Sequence, residues 1–263
     1  MNTSSVVNLH RFLMICILCF LAGCAADPVS LKLENSLPPD KLSYYSDSFD
    51  KFRDDLWDKS AVLYKDSQLE NFQLADMIYR DGKLIITTQK DCFSKASLSS
   101  RFTLKGDFDI QLDCRFNLLR GVYPMDQVMF FGVFDKSSGE IGDMHLVLIG
   151  VSQNYARSRI RVYSKVKNIN SGGGIFRSEE IQGFSGSLRM ARIGQNVTTY
   201  YRQSMAPWKK LSSYPLSTGN LNVGFALQNF TAKIHYLDSA LPVTAEFIEF
   251  KINAAQGIVE EDI

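Results

Sequence analysis

The sequence predicts an all-β fold, a two-sheet antiparallel sandwich or jelly roll with little helix, and three observations carry that prediction. Short segments of alternating apolar and polar residues recur ten times or more between Gly, Asn and Ser punctuation. One of them, from Asp107, alternates unbroken: Phe108, Ile110, Leu112, Cys114 and Phe116 share one face, with Asp107, Asp109, Gln111, Asp113 and Arg115 on the other. Only residues 50–60, with Phe49, Phe52, Leu56 and Trp57, carry helical spacing. The 263 residues are 45% apolar and 22% charged, a globular composition. The 29 Lys and Arg against 28 Asp and Glu leave no net field that would select nucleic acid.

The chain opens on a polar stretch with a basic end at His10 and Arg11, then an apolar run over 12–21 and small residues, the layout of an export signal. That run is too short to span a bilayer. It ends in Leu21-Ala22-Gly23-Cys24, which resembles the bacterial lipobox. The resemblance implies removal of 1–23 and acylation of Cys24, and several acyl chains hold a protein to a bilayer far more firmly than one. Ala25 in place of Asp implies the outer membrane if the host has two. Residues 24–42, with Pro28, Pro38 and Pro39, read as a tether, 43–253 as one β-sandwich domain and 254–263 as a C-terminal tail.

Strands are expected at 83–88, 95–104, 107–116, 127–134, 144–152, 159–167, 187–193, 196–203, 208–212, 220–228 and 245–253. Five core-facing side chains at roughly 2 kcal/mol each place the 107–116 strand at the centre of the core. Lys105-Gly106 reads as a hairpin turn, which sets residue 114 opposite residue 97. Cys92 then lies off register and on the other face from Cys114, so two unpaired buried thiols are expected.

Ser48-Phe49 before Trp57, Asp81-Gly82-Lys83-Leu84, and Ser99-Ser100-Arg101-Phe102 leading into Gly106-Asp107-Phe108-Asp109-Ile110 resemble bacterial members of the concanavalin A-like lectin and glucanase superfamily. Leu188-Arg189-Met190-Ala191-Arg192, the hairpin 197–208, and Ala245-Glu246-Phe247-Ile248-Glu249-Phe250 are similar to that fold's late strands. The resemblance spans nearly the whole mature body through structural motifs, and so implies a fold more than an activity.

Chemistry is sparse. The chain lacks a phosphate-binding Gly-rich loop, His-Glu-x-x-His, Cys-x-x-Cys-His and a strand-turn-helix Gly-x-Ser-x-Gly. His145, in a segment apolar on both faces, reads as a buried hydrogen-bonded core residue. The superfamily's retaining glucanases carry Glu-x-Asp-x-Glu on one strand, so that two carboxyls converge to about 5–5.5 Å. The matching region reads Gly139-Glu140-Ile141-Gly142-Asp143-Met144-His145, with an extra Gly and a His where the proton donor belongs. Glu140 and Asp143, three apart, face opposite sides of a regular strand. Asp109 and Asp113 share a face but flank Gln111, and both are one methylene shorter than Glu. They read as surface charges or cross-strand ion pairs, with catalytic acids as the alternative. No cofactor is indicated. Calcium is implied only by members of the resembling family, and no loop of closely spaced oxygen ligands accompanies it.

Two features remain as binding candidates. Arg157, Arg159, Arg161, Tyr163, Lys165 and Lys167 are all odd-numbered, so one continuous strand would aim them to one side, a row suited to an anionic polymer. Pairing with Glu179 and Glu180 on a neighbouring strand is the plainer reading. Tyr200, Tyr201 and Trp208 are candidates for stacking on sugar rings or for core packing. Asn170-Ser171-Gly172-Gly173-Gly174 reads as a mobile loop. The expected function is a lipid-anchored cell-envelope protein that binds polysaccharide or another envelope component without cleaving it. A glycan-cleaving enzyme with a non-standard acid pair and a protein-binding scaffold are the alternatives.

Overall fold

Among the described residues, alternation is realised as fourteen strands: β1 Trp57–Asp58, β2 Phe72–Leu74, β3 Asp76–Tyr79, β4 Leu84–Thr87, β5 Phe93–Asn117, β6 Asp126–Phe134, β7 Met144–Val151, β8 Arg161–Asn168, β9 Gly172–Glu180, β10 Phe184–Ile193, β11 Asn196–Gln203, β12 Lys209–Pro215, β13 Leu221–Phe230 and β14 Thr244–Glu260. The structure, a computed structural model, describes residues 33–59, 71–117, 126–135, 143–151, 160–168, 172–216, 218–230 and 241–261. Hydrogen bonding runs in the order β12-β11-β10-β5-β13-β6-β7-β8-β9, with β14 on the other edge of β5, β4 on β14 and β3 on β4. The ladder is folded into two layers of an antiparallel sandwich. One layer is β12-β11-β10-β5-β14-β4-β3, and the other is β5-β13-β6-β7-β8-β9. Their facing side chains form one core over Leu31–Ile263, from Phe108, Ile110, Leu112 and Cys114 on one side to Phe131, Val147, Ile149 and Phe225 on the other.

β5 belongs to both layers, which corrects the hairpin reading. The chain does not reverse at Lys105-Gly106. Residues 94–104 pair with β13, and 108–116 pair with β10 along the same edge. Gly106 takes φ +71°, a single left-handed residue that bends a strand where a two-residue hairpin would need more. The bend is fastened from outside: Asp107 N–H donates to Gln256 Oε1 at 2.9 Å, and Arg192 Nε donates to the Gly106 carbonyl at 2.6 Å. β14 follows the bend with register shifts at Phe247/Glu249, Ile252/Ala254 and Ala255/Gly257. Cys92 and Cys114 are unpaired and buried. The outcome matches the expectation, although the reason is that Cys92 immediately precedes one long strand and Cys114 lies near its far end.

Four further expectations change. Of the expected helix 50–60, the described residues 50–59 are not helical: Phe49 at φ +56° breaks the local geometry, and the chain turns into β1. The apolar side chains Phe49, Leu56 and Trp57 reach the core as a loop instead. Asp47 fixes that loop, accepting from Phe49 N–H at 2.8 Å and from Trp57 Nε1–H at 2.7 Å. Burial raises the Asp47 carboxyl above its ordinary range. The single described helix, α1 (Pro39–Tyr44), spans the expected boundary between tether and domain, and Leu37 N–H donates to the Ala255 carbonyl at 2.7 Å, so this end of the tether is part of the domain. The expected tail is also structured, since Gly257–Glu260 pair with Lys105–Phe102 of β5. Lastly, the glycine run forms β9, not a loop, from Gly172 on. A Cβ at Gly173 would stand 2.3 Å from the Val166 carbonyl oxygen, so glycine is what lets β9 approach β8.

Candidate functional site

Because the core fills the space between the layers, each layer has an outer face, and the sequence-predicted candidates divide between the two. On the β6–β7–β8 layer, the outward residues of β7 are Met144, Leu146 and Leu148, paired with Lys167, Lys165 and Tyr163 of β8. With Val128, Phe130, Phe134 and Ala226 they make a second apolar cluster, against which Tyr163 packs. Arg161, Tyr163, Lys165 and Lys167 do share this side, and the alternate residues Val162, Ser164 and Val166 are buried in the core. Arg157 and Arg159 lie outside the described residues, as do Glu140 and the lipid-attachment candidate Cys24. Glu180 stands directly opposite Arg161, so one end of the basic row faces an acid.

Among the described residues, the alternative catalytic acids Asp109 and Asp113 are not brought together with Asp143. Asp143 precedes β7, is buried, and its carbonyl accepts from Asp135 N–H at 2.9 Å. Asp109 and Asp113 sit on the outer face of the opposite layer. Asp113 Oδ1 accepts from Gln111 Nε2 at 2.7 Å. Asp109 is only 1% exposed. Its Oδ1 accepts from Arg189 Nε at 2.8 Å and from Asn253 Nδ2 at 3.2 Å, and its Oδ2 accepts from Arg189 Nη2. The cross-strand ion-pair reading holds for Asp109, and the solvated one does not.

His145 points inward, fully buried. Its Nε2 lies 2.8 Å from Ser164 Oγ and 2.9 Å from Ser212 Oγ, while Nδ1 has no hydrogen-bond partner among the described residues. Ser212 Oγ also meets Ser164 Oγ at 2.7 Å and Thr199 Oγ1 at 2.9 Å, so this polar knot ties β7 and β8 to β11 and β12 through the core. Burial alone holds the imidazole down at about 3.

The three aromatic candidates also divide. Tyr201 is a core residue whose hydroxyl donates to Glu179 Oε2 at 2.5 Å. That bond and the neighbouring Lys209 ammonium hold the Glu179 carboxyl below its usual range. Tyr200 and Trp208 are half-buried on the same outer face as Asp109. The Arg202 guanidinium lies 4.4 Å from the centre of the Trp208 ring and that of Arg189 lies 5.6 Å from it. Sequence reasoning singled out Trp208 and Tyr200 but not Arg202. The signal was the alternation of β11, where Val197, Thr199 and Tyr201 turn inward and Thr198, Tyr200 and Arg202 outward. Among the described residues, no three His, Cys, Asp or Glu side chains gather as a metal site would require.

No family model matches the chain, and no curated protein does. Solved structures do. The chain is similar to the catalytic domain of an endo-1,3-beta-glucanase (laminarinase) from Thermotoga petrophila RKU-1, with a TM-score of 0.58 and 10% identity over 88% of this chain and 100% of that one. It is similar to an immunostimulatory antigen and pseudo beta-1,3-glucanase of Mycobacterium tuberculosis, with a TM-score of 0.57 and 10% identity over 84% and 100%. A Bacillus licheniformis beta-glucanase gives 0.55 and 13% over 84% and 99%. At these identities the likeness shows a shared fold, the concanavalin A-like jelly roll that the sequence resemblance implies.

Proposed function

We propose that this chain is a lipid-anchored protein of the bacterial cell envelope whose jelly roll binds a glycan, or another envelope component, without hydrolysing it. The observation that carries the non-catalytic half is the outer face of β7, where Met144, Leu146 and Leu148 occupy the outward positions. Glycoside hydrolysis needs two carboxyls converging on one bond. Asp109 and Asp143 belong to different layers, and Asp109 is already consumed by Arg189. Glycan as the ligand class is supported by the fold shared with glucanases, and one of those neighbours is itself called a pseudo-glucanase.

The test is a panel of neutral and acidic polysaccharides, scored for retention of the protein and for new reducing ends. Retention with no release of reducing ends is expected. Release that disappears in Asp143→Asn or Glu140→Gln reinstates the enzyme, and no retention together with co-purification of an envelope protein favours a scaffold.

The anchor rests on Leu21-Ala22-Gly23-Cys24. Cys24→Ser is expected to abolish incorporation of labelled palmitate and to move the protein from the membrane to the soluble fraction. Unchanged labelling and fractionation in that variant would remove the anchor from the reading.

A further inference from the structure

We propose that the outer face of β10–β12 around Trp208 is a subsite for a negatively charged sugar residue, a uronate or a sulfated pyranose. The inference rests on the glycan-binding reading and gives it a place and a ligand chemistry. Four side chains make the patch. Tyr200 stands opposite Lys210 in the β11–β12 pair, and Arg202 lies two residues along β11 on the same face. Trp208, just before β12, adjoins Arg202.

Charge decides the ligand class. Arg202 has Ser187 Oγ as its hydrogen-bond partner, reached by Nε at 3.2 Å, and no carboxylate lies within ion-pair distance of it among the described residues. Lys210 is exposed and has no carboxylate partner there either. Arg189, the third cation near Trp208, is already neutralised by Asp109 and is 5% exposed, so it is a fixed floor. The patch therefore presents two uncompensated positive charges beside two half-buried rings. A guanidinium stacked on indole is held in place yet keeps its outer N–H groups free, which suits it to fork onto a carboxylate or sulfate with little further ordering. Pyranose rings offer apolar C–H faces to aromatic side chains, and Tyr200 and Trp208 supply such surfaces. The basic row on the opposite layer differs, because Glu180 already faces Arg161 there.

The experiment is calorimetric titration of the full-length chain in detergent with tetragalacturonate, a κ-carrageenan tetrasaccharide and neutral laminaritetraose. At least one charged probe is expected to bind tenfold or more tightly than laminaritetraose, with affinity falling as NaCl rises. Arg202→Gln and Trp208→Ala should each weaken that probe tenfold or more, while Trp208→Phe keeps most of the affinity. Lys90→Gln, a surface control, should stay within twofold. Melting curves matching the unaltered chain separate lost binding from lost folding, and Arg202→Gln carries the test should Trp208→Ala fail to fold. Charged-probe binding that survives Arg202→Gln but is lost in Lys165→Gln overturns the subsite and leaves the glycan reading standing. Equal affinity for all three probes overturns the charge class. Absence of binding by every probe overturns the subsite, while the wider polysaccharide panel judges the reading beneath it.

Discussion

Asp109→Ala is expected to destabilise the protein by about 3–5 kcal/mol, the cost of leaving a buried partner charge uncompensated. The side chains of Arg189 and Asp109 are 6% and 2% exposed, so water cannot take over when the carboxylate is removed. Arg189 would lose both arms of a two-point contact, and Asn253 would lose its acceptor. Urea unfolding measures this as a shift in midpoint at constant slope. Arg189→Met combined with Asp109→Leu should recover much of the loss, because removing both charges removes the desolvation penalty as well. A loss below about 1 kcal/mol for Asp109→Ala would mean that the pair is solvated and exchangeable, as surface pairs are. The same variant bears on chemistry: if Asp109 were a catalytic acid, substitution would abolish an activity and leave folding largely intact.

Acidification is expected to unfold the protein through His145. Its folded pKa of about 3 lies below the ordinary value of 6.5, so between those limits the unfolded chain binds a proton that the folded chain refuses. Stability therefore rises with pH across that window, is complete above about 6.5, and falls by about 1.4 kcal/mol for each pH unit below it. The geometry gives the reason. An imidazolium needs an acceptor at both nitrogens, and Nδ1 has none. Thermal unfolding at pH 7, 6 and 5 should show a steep loss for the unaltered chain and a shallower one for His145→Asn, which keeps a hydrogen-bonding side chain without the titration. Parallel curves for the two proteins would show that carboxylates alone set the acid limit.

The layers were legible in the sequence because burial on one face enforces a period of two, and a slip of one residue would turn Asp109, Gln111 and Asp113 into the apolar core and Phe108, Ile110 and Leu112 out of it. Each expected strand overlaps an observed one, but 95–104 and 107–116 are one strand, and the last runs on to Glu260. What alternation could not supply was connection. Gly106 looks the same in a sequence whether it turns a hairpin or bends a strand, and only its neighbours Gln256 and Arg192, far along the chain, decide which. Gly173 was misread for the related reason that a glycine admitted by close strand approach resembles one admitted by a turn. The helical reading of 50–60 failed because three apolar side chains were answering a distant core instead of a local period. At the candidate site, residue types were visible and pairings were not. That Asp109 meets Arg189 depends on the register of strands many residues apart, and that Arg202 meets Trp208 depends on how the chain turns between β11 and β12.

The passage of β5 through both layers binds their fates together. Peeling one sheet away drags on the other's own backbone, so opening of either layer is expected to disturb both. Damage at either outer surface is then expected to lower the barrier for the two layers together.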